Sequence, residues 1–108
     1  MPDWKDFVIG LKDDAGSLAK NELIGLVKSS NVDADEFVRK QAQKLERYLN
    51  QLAAGEITKE DFVHNMKNLQ RLNEMQALKL SVAAKASAQR LTLGIQNLIL
   101  DKLLNLIP

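Results

Sequence analysis

The sequence contains no cysteine, and this absence excludes several kinds of chemistry at once. Without a thiolate there is no disulfide framework, no cysteine nucleophile and no cysteine-ligated zinc or iron–sulfur site. The two prolines are residues 2 and 108, so no proline ring interrupts a helix between them. Long helices are therefore permitted along almost the whole chain.

An excess of charge of one sign is also missing. The 108 residues include 15 basic and 14 acidic side chains, which gives a formal net charge of +1. The chain as a whole therefore lacks the strong basic field typical of nucleic-acid binders. Its first residues do not follow the order of a secretory signal, and no apolar run reaches the roughly 18 residues of a membrane span. We expect a cytoplasmic protein, with peripheral membrane attachment as the alternative.

The apolar residues recur at helical spacing and do not alternate with polar residues over the length of a strand. The pattern predicts an all-α, up-and-down bundle of three, or alternatively four, helices with a long C-terminal helix, forming a single domain over residues 1–108. The helices are expected over residues 3–28 with a bend near Gly16, over residues 34–53 with Gly55 just beyond the end, and over residues 59–106.

Two similar segments mark the starts of the second and third predicted helices. In the first segment, Asp33 is expected to cap the helix while Val32 and Phe37 pack across the cap. In the second segment, Thr58 is expected to cap the helix and Asp61 to complete a capping box. The residues that follow the two segments do not match, so we interpret the similarity as shared capping chemistry and not as an internal duplication.

The third predicted helix is unusually long because no strong stop signal interrupts residues 59–106. At 1.5 Å per residue it would extend roughly 70 Å, whereas a globule of this size is about 30 Å across. The segment is therefore expected either to kink near residues 87–94 and fold back, or to project and pair with another chain. The uninterrupted helix is the preferred interpretation.

The end of this helix is the strongest functional feature of the sequence. Residues 91–107 include ten large aliphatic side chains, and the polar residues among them fall on one narrow strip. So wide an apolar arc requires cover from the protein core, from another chain or from a membrane surface. The residues expected at an oligomer or partner interface are Leu91, Ile95, Leu98, Ile99, Leu103 and Leu106.

Other groups of polar residues are explained better by structure than by chemistry. Residues 55–62 resemble the second half of an EF-hand loop, but the first half would place Leu52 and Ala54 at ligand positions. His64 is the only histidine, and together with Asp61 it supplies two ligands, which do not make a metal site. The acidic sets fall mostly at helix starts, where the helix dipole favours negative charge. We therefore expect no catalytic residue, no metal, no cofactor, no small-molecule substrate and no enzymatic activity.

Three functions follow from these features, in order of preference. The first is a structural or interaction module that forms homo-oligomers, or binds a protein partner, through residues 91–107. The second is association with a membrane surface through the same helix. The third is weak nucleic-acid binding through residues 67–90, which contain five basic residues and one acid. Nucleic acid is the least favoured partner because the five bases are spread around the helix and no aromatic residue lies among them to stack on bases.

Overall fold

The computed structural model describes residues 4–11 and 20–107, and every regular element in these ranges is helical. The prediction of an all-α fold is confirmed. The prediction of three or four helices is wrong, because the described residues form five. These are α1 (Trp4–Gly10), α2 (Lys20–Asn31), α3 (Glu36–Ala53), α4 (Lys59–Ala77) and a C-terminal helix that consists of α5 (Val82–Gly94), a π-helical segment (Ile95–Leu103) and a last α-helical turn (Leu104–Leu106).

The first predicted helix is two helices in the structure. The Lys20 ammonium group, at the start of α2, donates hydrogen bonds to the backbone carbonyls of Ile9 and Leu11 at the end of α1. In one straight helix Leu11 would lie roughly 13 Å along the axis from Lys20, so this contact requires the chain to turn back. The single helix predicted over residues 3–28 is therefore wrong, because α1 ends at Gly10 and α2 begins at Lys20, and the predicted bend near Gly16 lies outside the described residues.

Helix α3 begins slightly later than predicted because a different aspartate caps it. The Asp35 carboxylate accepts a hydrogen bond from the Val38 backbone N–H at 3.2 Å. Asp33, the predicted cap, instead accepts from the backbone N–H of Asp35 at 2.9 Å. Val32, predicted to pack across the cap, has a side chain that is 77% exposed. The predicted cap and its apolar contact are therefore wrong at this helix.

The capping box predicted at the start of α4 is confirmed. Thr58 Oγ1 accepts from the Asp61 backbone N–H at 3.0 Å, and Asp61 Oδ2 accepts from the Thr58 backbone N–H at 3.3 Å. Gly55, just beyond α3, has a φ of +72°, in the left-handed region that favours glycine. These local features turn the chain from α3 into α4.

The predicted helix over residues 59–106 is interrupted, because the chain reverses at residues 78–81. Ser81 begins the new helix: its hydroxyl accepts a hydrogen bond from the Ala84 backbone N–H at 3.2 Å. The preference for an uninterrupted helix is therefore wrong, and the break also falls before the predicted kink at residues 87–94.

After this reversal the C-terminal helix runs antiparallel to α4. Gln70, in the middle of α4, donates to Gln96 Oε1 at 3.2 Å, and Lys59, at the start of α4, donates to the carbonyl of Ile107 at 3.3 Å. The longest dimension of the molecule is consequently 39 Å. The 70 Å projection that would have needed a second chain for cover is absent.

All five helices contribute to one hydrophobic core. Trp4 fixes α1 to α3, because its indole N–H donates to Glu46 Oε2 and its backbone N–H donates to Asn50 Oδ1, both at 3.1 Å. The C-terminal helix packs against α2, α3 and α4. The largest fully buried apolar side chains are Trp4, Val8, Leu23, Leu45, Leu49, Phe62, Met66, Leu91, Ile95, Ile99 and Leu103.

Candidate interaction surface

The residues predicted at an interface lie inside this fold. Five of the six are buried and belong to the main core, and the sixth, Leu106, is half-buried against it. Burial of the five is nearly complete, because the most exposed of them retains only 7% of its accessible surface. An interface through these side chains would require the C-terminal helix to leave the bundle. The buried five are Leu91, Ile95, Leu98, Ile99 and Leu103.

Large exposed aliphatic side chains are concentrated at one end of the bundle. Among the described residues six large hydrophobic side chains are exposed, and four of them lie in or beside two connections. These four, which we call the apolar end, are Val32 (77% exposed) after α2, Met75 (62%) in the last turn of α4, and Leu78 (81%) and Val82 (88%) around the reversal. Each is much more exposed than a core residue, so the fold itself does not use them.

The two connections are neighbours in space. Asp33 and Asp35, from the connection between α2 and α3, line one common cleft with Ser81 and Ala84 from the start of α5. Val32 directly precedes the first pair of residues, and Val82 directly follows Ser81. The apolar end is therefore built from two segments that are distant in sequence, which sequence reasoning did not bring together.

Asp33 holds this connection against the C-terminal helix. The pKa of its carboxyl group is lowered, first by the hydrogen bond from the Asp35 backbone N–H and then by the Ser87 hydroxyl, while burial opposes the shift. The positive charges of Arg90 and Arg39 lower the pKa further. The connection between α2 and α3 therefore lies against α5, near Ser87 and Arg90.

The apolar end has an acidic edge and a basic edge. The acidic edge belongs to the connection between α2 and α3, where Glu36 has a side chain that is 72% exposed. Its ion pair with Lys40, at 3.2 Å, is of the exposed kind that contributes little to stability. The basic edge belongs to the reversal, with Lys79 exposed and Lys85 half-buried. No acidic residue occurs in residues 75–100, and the nearest acid before this range, Glu74, is exposed and lines a groove together with Leu78 and Lys85.

A groove extends from the apolar end along the face between α4 and α5. It has a volume of about 480 Å³, and among its lining residues Ala77 and Ala88 are buried. Two lining leucines remain exposed, Leu78 (81%) at the reversal and Leu93 (59%) further along α5. The exposed apolar surface is thus continued from the end of the bundle onto one of its sides.

A buried polar pair lies beneath this groove. Gln41 Nε2, on α3, donates to Asn73 Oδ1, on α4, at 2.9 Å, and the two residues are 2% and 1% exposed. Asn73 Nδ2 is buried without a hydrogen-bond partner in the part of the chain that the structure describes. Such a half-satisfied pair costs stability, because a buried amide donor loses its hydrogen bonds with water.

The acidic residues and the histidine considered as possible ligands have structural roles or are not brought together. Asp61 belongs to the capping box of α4, and the side chain of His64 is exposed. Within residues 4–11 and 20–107 no three histidine, cysteine or acidic side chains come together as a metal-binding group would. Asp13 and Asp14 lie outside the described residues.

The basic residues of segment 67–90 are divided between α4, the reversal and α5. They therefore do not lie along one helix, as the third predicted function assumed. Searching the described helices for a stretch long and apolar enough to cross a bilayer finds none.

Comparisons of the chain with protein-family models, with curated proteins and with solved structures find no match. The class that the molecule itself defines is an all-α bundle of five described helices with an exposed apolar end.

Proposed function

We propose that this protein is a non-enzymatic structural or interaction module that assembles through its apolar end. The observation that carries the proposal is the grouping of Val32, Met75, Leu78 and Val82 at one end of the bundle, each more than 60% exposed. Large apolar side chains that are exposed near one another on a protein surface are typical of contact sites. Burying one such side chain is worth about 1.5–3 kcal/mol, so covering several of them favours association.

The location of these residues strengthens the proposal. Short connections favour glycine, whose backbone adopts turn conformations readily, and asparagine, aspartate and serine, whose side chains hydrogen-bond to the backbone of a turn. The reversal instead places Leu78 and Leu80 on either side of Lys79 and then begins α5 with Val82. Apolar residues at such positions contribute little to the turn and, when exposed, little to the core. A role outside the isolated chain accounts for them.

The proposal moves the contact surface away from the predicted residues 91–107. Most of the aliphatic side chains in that segment are already covered by the chain's own helices, so contact through them competes with folding. The apolar end is accessible in the folded chain and can associate without any loss of core. An assembly function therefore has a surface that does not compromise stability.

The test is the mass of the protein in solution, measured by light scattering behind a sizing column over a range of concentrations. We expect masses above the 12.1 kDa of one chain, approaching 12.1 kDa on dilution. Leu78→Asp and Val82→Asp should give 12.1 kDa at every concentration, because each places a carboxylate in the contact.

Ile9→Asp is the matched control, because Ile9 is also exposed (56%) but lies in α1, which packs near the C-terminal half of α3, away from the apolar end. This variant should assemble like the unmodified chain. A chain that has the mass of a monomer at all concentrations would remove self-assembly through this end.

A second candidate function is association with an anionic membrane surface. It is favoured by the two lysines, Lys79 and Lys85, that accompany the exposed Leu78 and Val82. Co-sedimentation with phosphatidylserine-containing vesicles that Val82→Asp abolishes would support it. Absence of co-sedimentation at low salt would discard it.

A further inference from the structure

We infer that the partner at the apolar end is a second copy of this chain, related by a two-fold axis that sets the acidic edge of each copy against the basic edge of the other. This inference rests on the proposed function and adds the identity and orientation of the partner. In this arrangement the two connections form the two unlike halves of one self-complementary surface.

The two connections expose charges of opposite sign. Asp33 and Asp35 accept backbone hydrogen bonds within their own connection, so its exposed acid is Glu36, whose side chain is 72% exposed and forms an exposed ion pair with Lys40 at 3.2 Å. On the other connection Lys79 is exposed, and the nearest acid in the sequence is Glu74, five positions earlier in the last turn of α4. Glu36 and Lys79 are thus exposed opposite charges, one on each connection.

The direction of the two-fold axis determines which of these charges meet. In a two-fold contact, any residue pair formed across the interface is formed twice, once in each direction. If the axis runs along the border between the two connections, Glu36 of each copy faces Lys79 of the other. An axis perpendicular to that border would instead place Glu36 against Glu36 and Lys79 against Lys79. Like charges in contact are unfavourable, so the first orientation is selected.

The apolar residues agree with the same orientation. Val32 is on the acidic side of the border, and Leu78 and Val82 are on the basic side. The selected axis therefore brings Val32 of one copy onto Leu78 and Val82 of the other. Each copy buries aliphatic surface between two rows of opposite charges, an arrangement of apolar centre and polar rim that is common in protein interfaces.

Charge reversal tests this arrangement. Lys79→Glu and Glu36→Lys should each raise the dimer dissociation constant about tenfold at low salt, because each change makes both symmetric contacts repulsive. The double variant Lys79→Glu with Glu36→Lys should recover dimerisation, since it restores opposite charges at both contacts. An equimolar mixture of the two single variants should likewise form heterodimers, which native mass spectrometry resolves by mass.

Lys67→Glu, on an exposed part of α4, and Glu56→Lys, at the other end of α3, are matched charge controls and should leave the dissociation constant unchanged. Circular dichroism establishes that all variants are folded. Single variants that weaken dimerisation while the double variant does not recover it would overturn the two-fold arrangement. Dimerisation that depends on Leu78 but on neither charge would overturn it too, and would leave the proposed function standing. A monomer at all concentrations would overturn both.

Discussion

Replacing Gly94 by alanine tests how closely α2 crosses the C-terminal helix. Gly94 is buried at the end of α5 and has helical backbone angles, with φ −63° and ψ −42°. A Cβ atom built on it would overlap Leu26 Cδ2, on α2, and would lie 3.3 Å from Leu26 Cγ. The added methyl group can therefore be accommodated only if the Leu26 side chain or the helix that carries it moves.

The magnitude follows from two opposing effects. Alanine in place of glycine stabilises a helix by about 1 kcal/mol. Extra volume in a packed contact costs about 1–3 kcal/mol. Gly25 provides the matched control, because it is exposed in α2 and an added Cβ would meet no atom within 4 Å. We expect Gly25→Ala to stabilise the protein by about 1 kcal/mol, and Gly94→Ala to be about 1–3 kcal/mol less stable than Gly25→Ala.

Urea denaturation followed by circular dichroism measures the free energy of unfolding of both variants. A third measurement locates the cause: in a Leu26→Ala background, Gly94→Ala should become stabilising, because the overlapping side chain has been removed. If Gly94→Ala stabilises the unmodified chain as much as Gly25→Ala does, the Leu26 side chain moves aside without measurable cost, and the expected penalty for close packing of Leu26 on Gly94 is refuted.

Three further predictions concern the core, the buried polar pair and acid stability. Ile99→Ala should lower the free energy of unfolding by about 2–5 kcal/mol in urea, because Ile99 is fully buried, while leaving the mass in solution unchanged; a changed mass with unchanged stability would instead favour an interface at residues 91–107. Asn73→Leu should lower the free energy of unfolding by about 1–3 kcal/mol, because it leaves the buried Gln41 amide unpaired. Adding Gln41→Leu should recover stability, and a double variant that does not recover would show that the pair stabilises the fold. Because the pKa of Asp33 in the folded protein is below its usual value of 3.8, its stabilising contribution is present above that pH and is lost as the pH falls through the lowered pKa. Chemical denaturation should therefore show a larger cost of Asp33→Asn at about pH 6 than at about pH 2, and a cost independent of pH would contradict this.

The features that could be predicted from the sequence are local ones. The all-helical character follows from composition and spacing, and the capping box of Thr58 and Asp61 requires only residues three apart. The left-handed Gly55 is likewise a property of a single helix end. Each of these interactions is complete within about one helical turn, so no knowledge of the rest of the fold is needed to expect it.

The reversal at residues 78–81 shows where local signals fail. It contains neither glycine nor proline, and it has leucine at two of its four positions. Its only turn signal is Ser81, which caps α5 without a glutamate or glutamine to complete a box. The reversal is stabilised instead by the packing of α5 against α4, an interaction between residues that only become neighbours after the chain has turned.

The cap of α3 is decided in the same way by distant residues. Asp33 and Asp35 are both good caps, and the sequence pattern around Asp33 is the stronger of the two. Asp33 is nevertheless engaged with Ser87 and Arg90, more than fifty positions later in the chain. Asp35 is then the aspartate that remains to cap the helix. The observed start of α3 consequently lies two residues after the predicted one.

Helical spacing alone would have indicated that Asn73, one member of the buried pair with Gln41, lies among buried apolar residues. Asn73 continues the buried row of Phe62, Met66 and Leu69 on α4. A polar residue on such a row calls for a partner on the facing helix, because a buried amide must be hydrogen bonded. The identity of the partner depends on how α3 and α4 align, which the sequence alone does not establish.

The position of the reversal explains why the apolar arc of residues 91–107 does not by itself indicate an oligomer. Its width correctly implies that more than one neighbour covers it, but the number of neighbours available depends on where the chain turns. With α4 ending at Ala77, the C-terminal helix lies against α2, α3 and α4 of its own chain. Once these helix faces are used in the core, exposed apolar surface can persist mainly where helices end. The contact surface is therefore sought at Val32, Leu78 and Val82, in the connections, and not along the longest apolar helix.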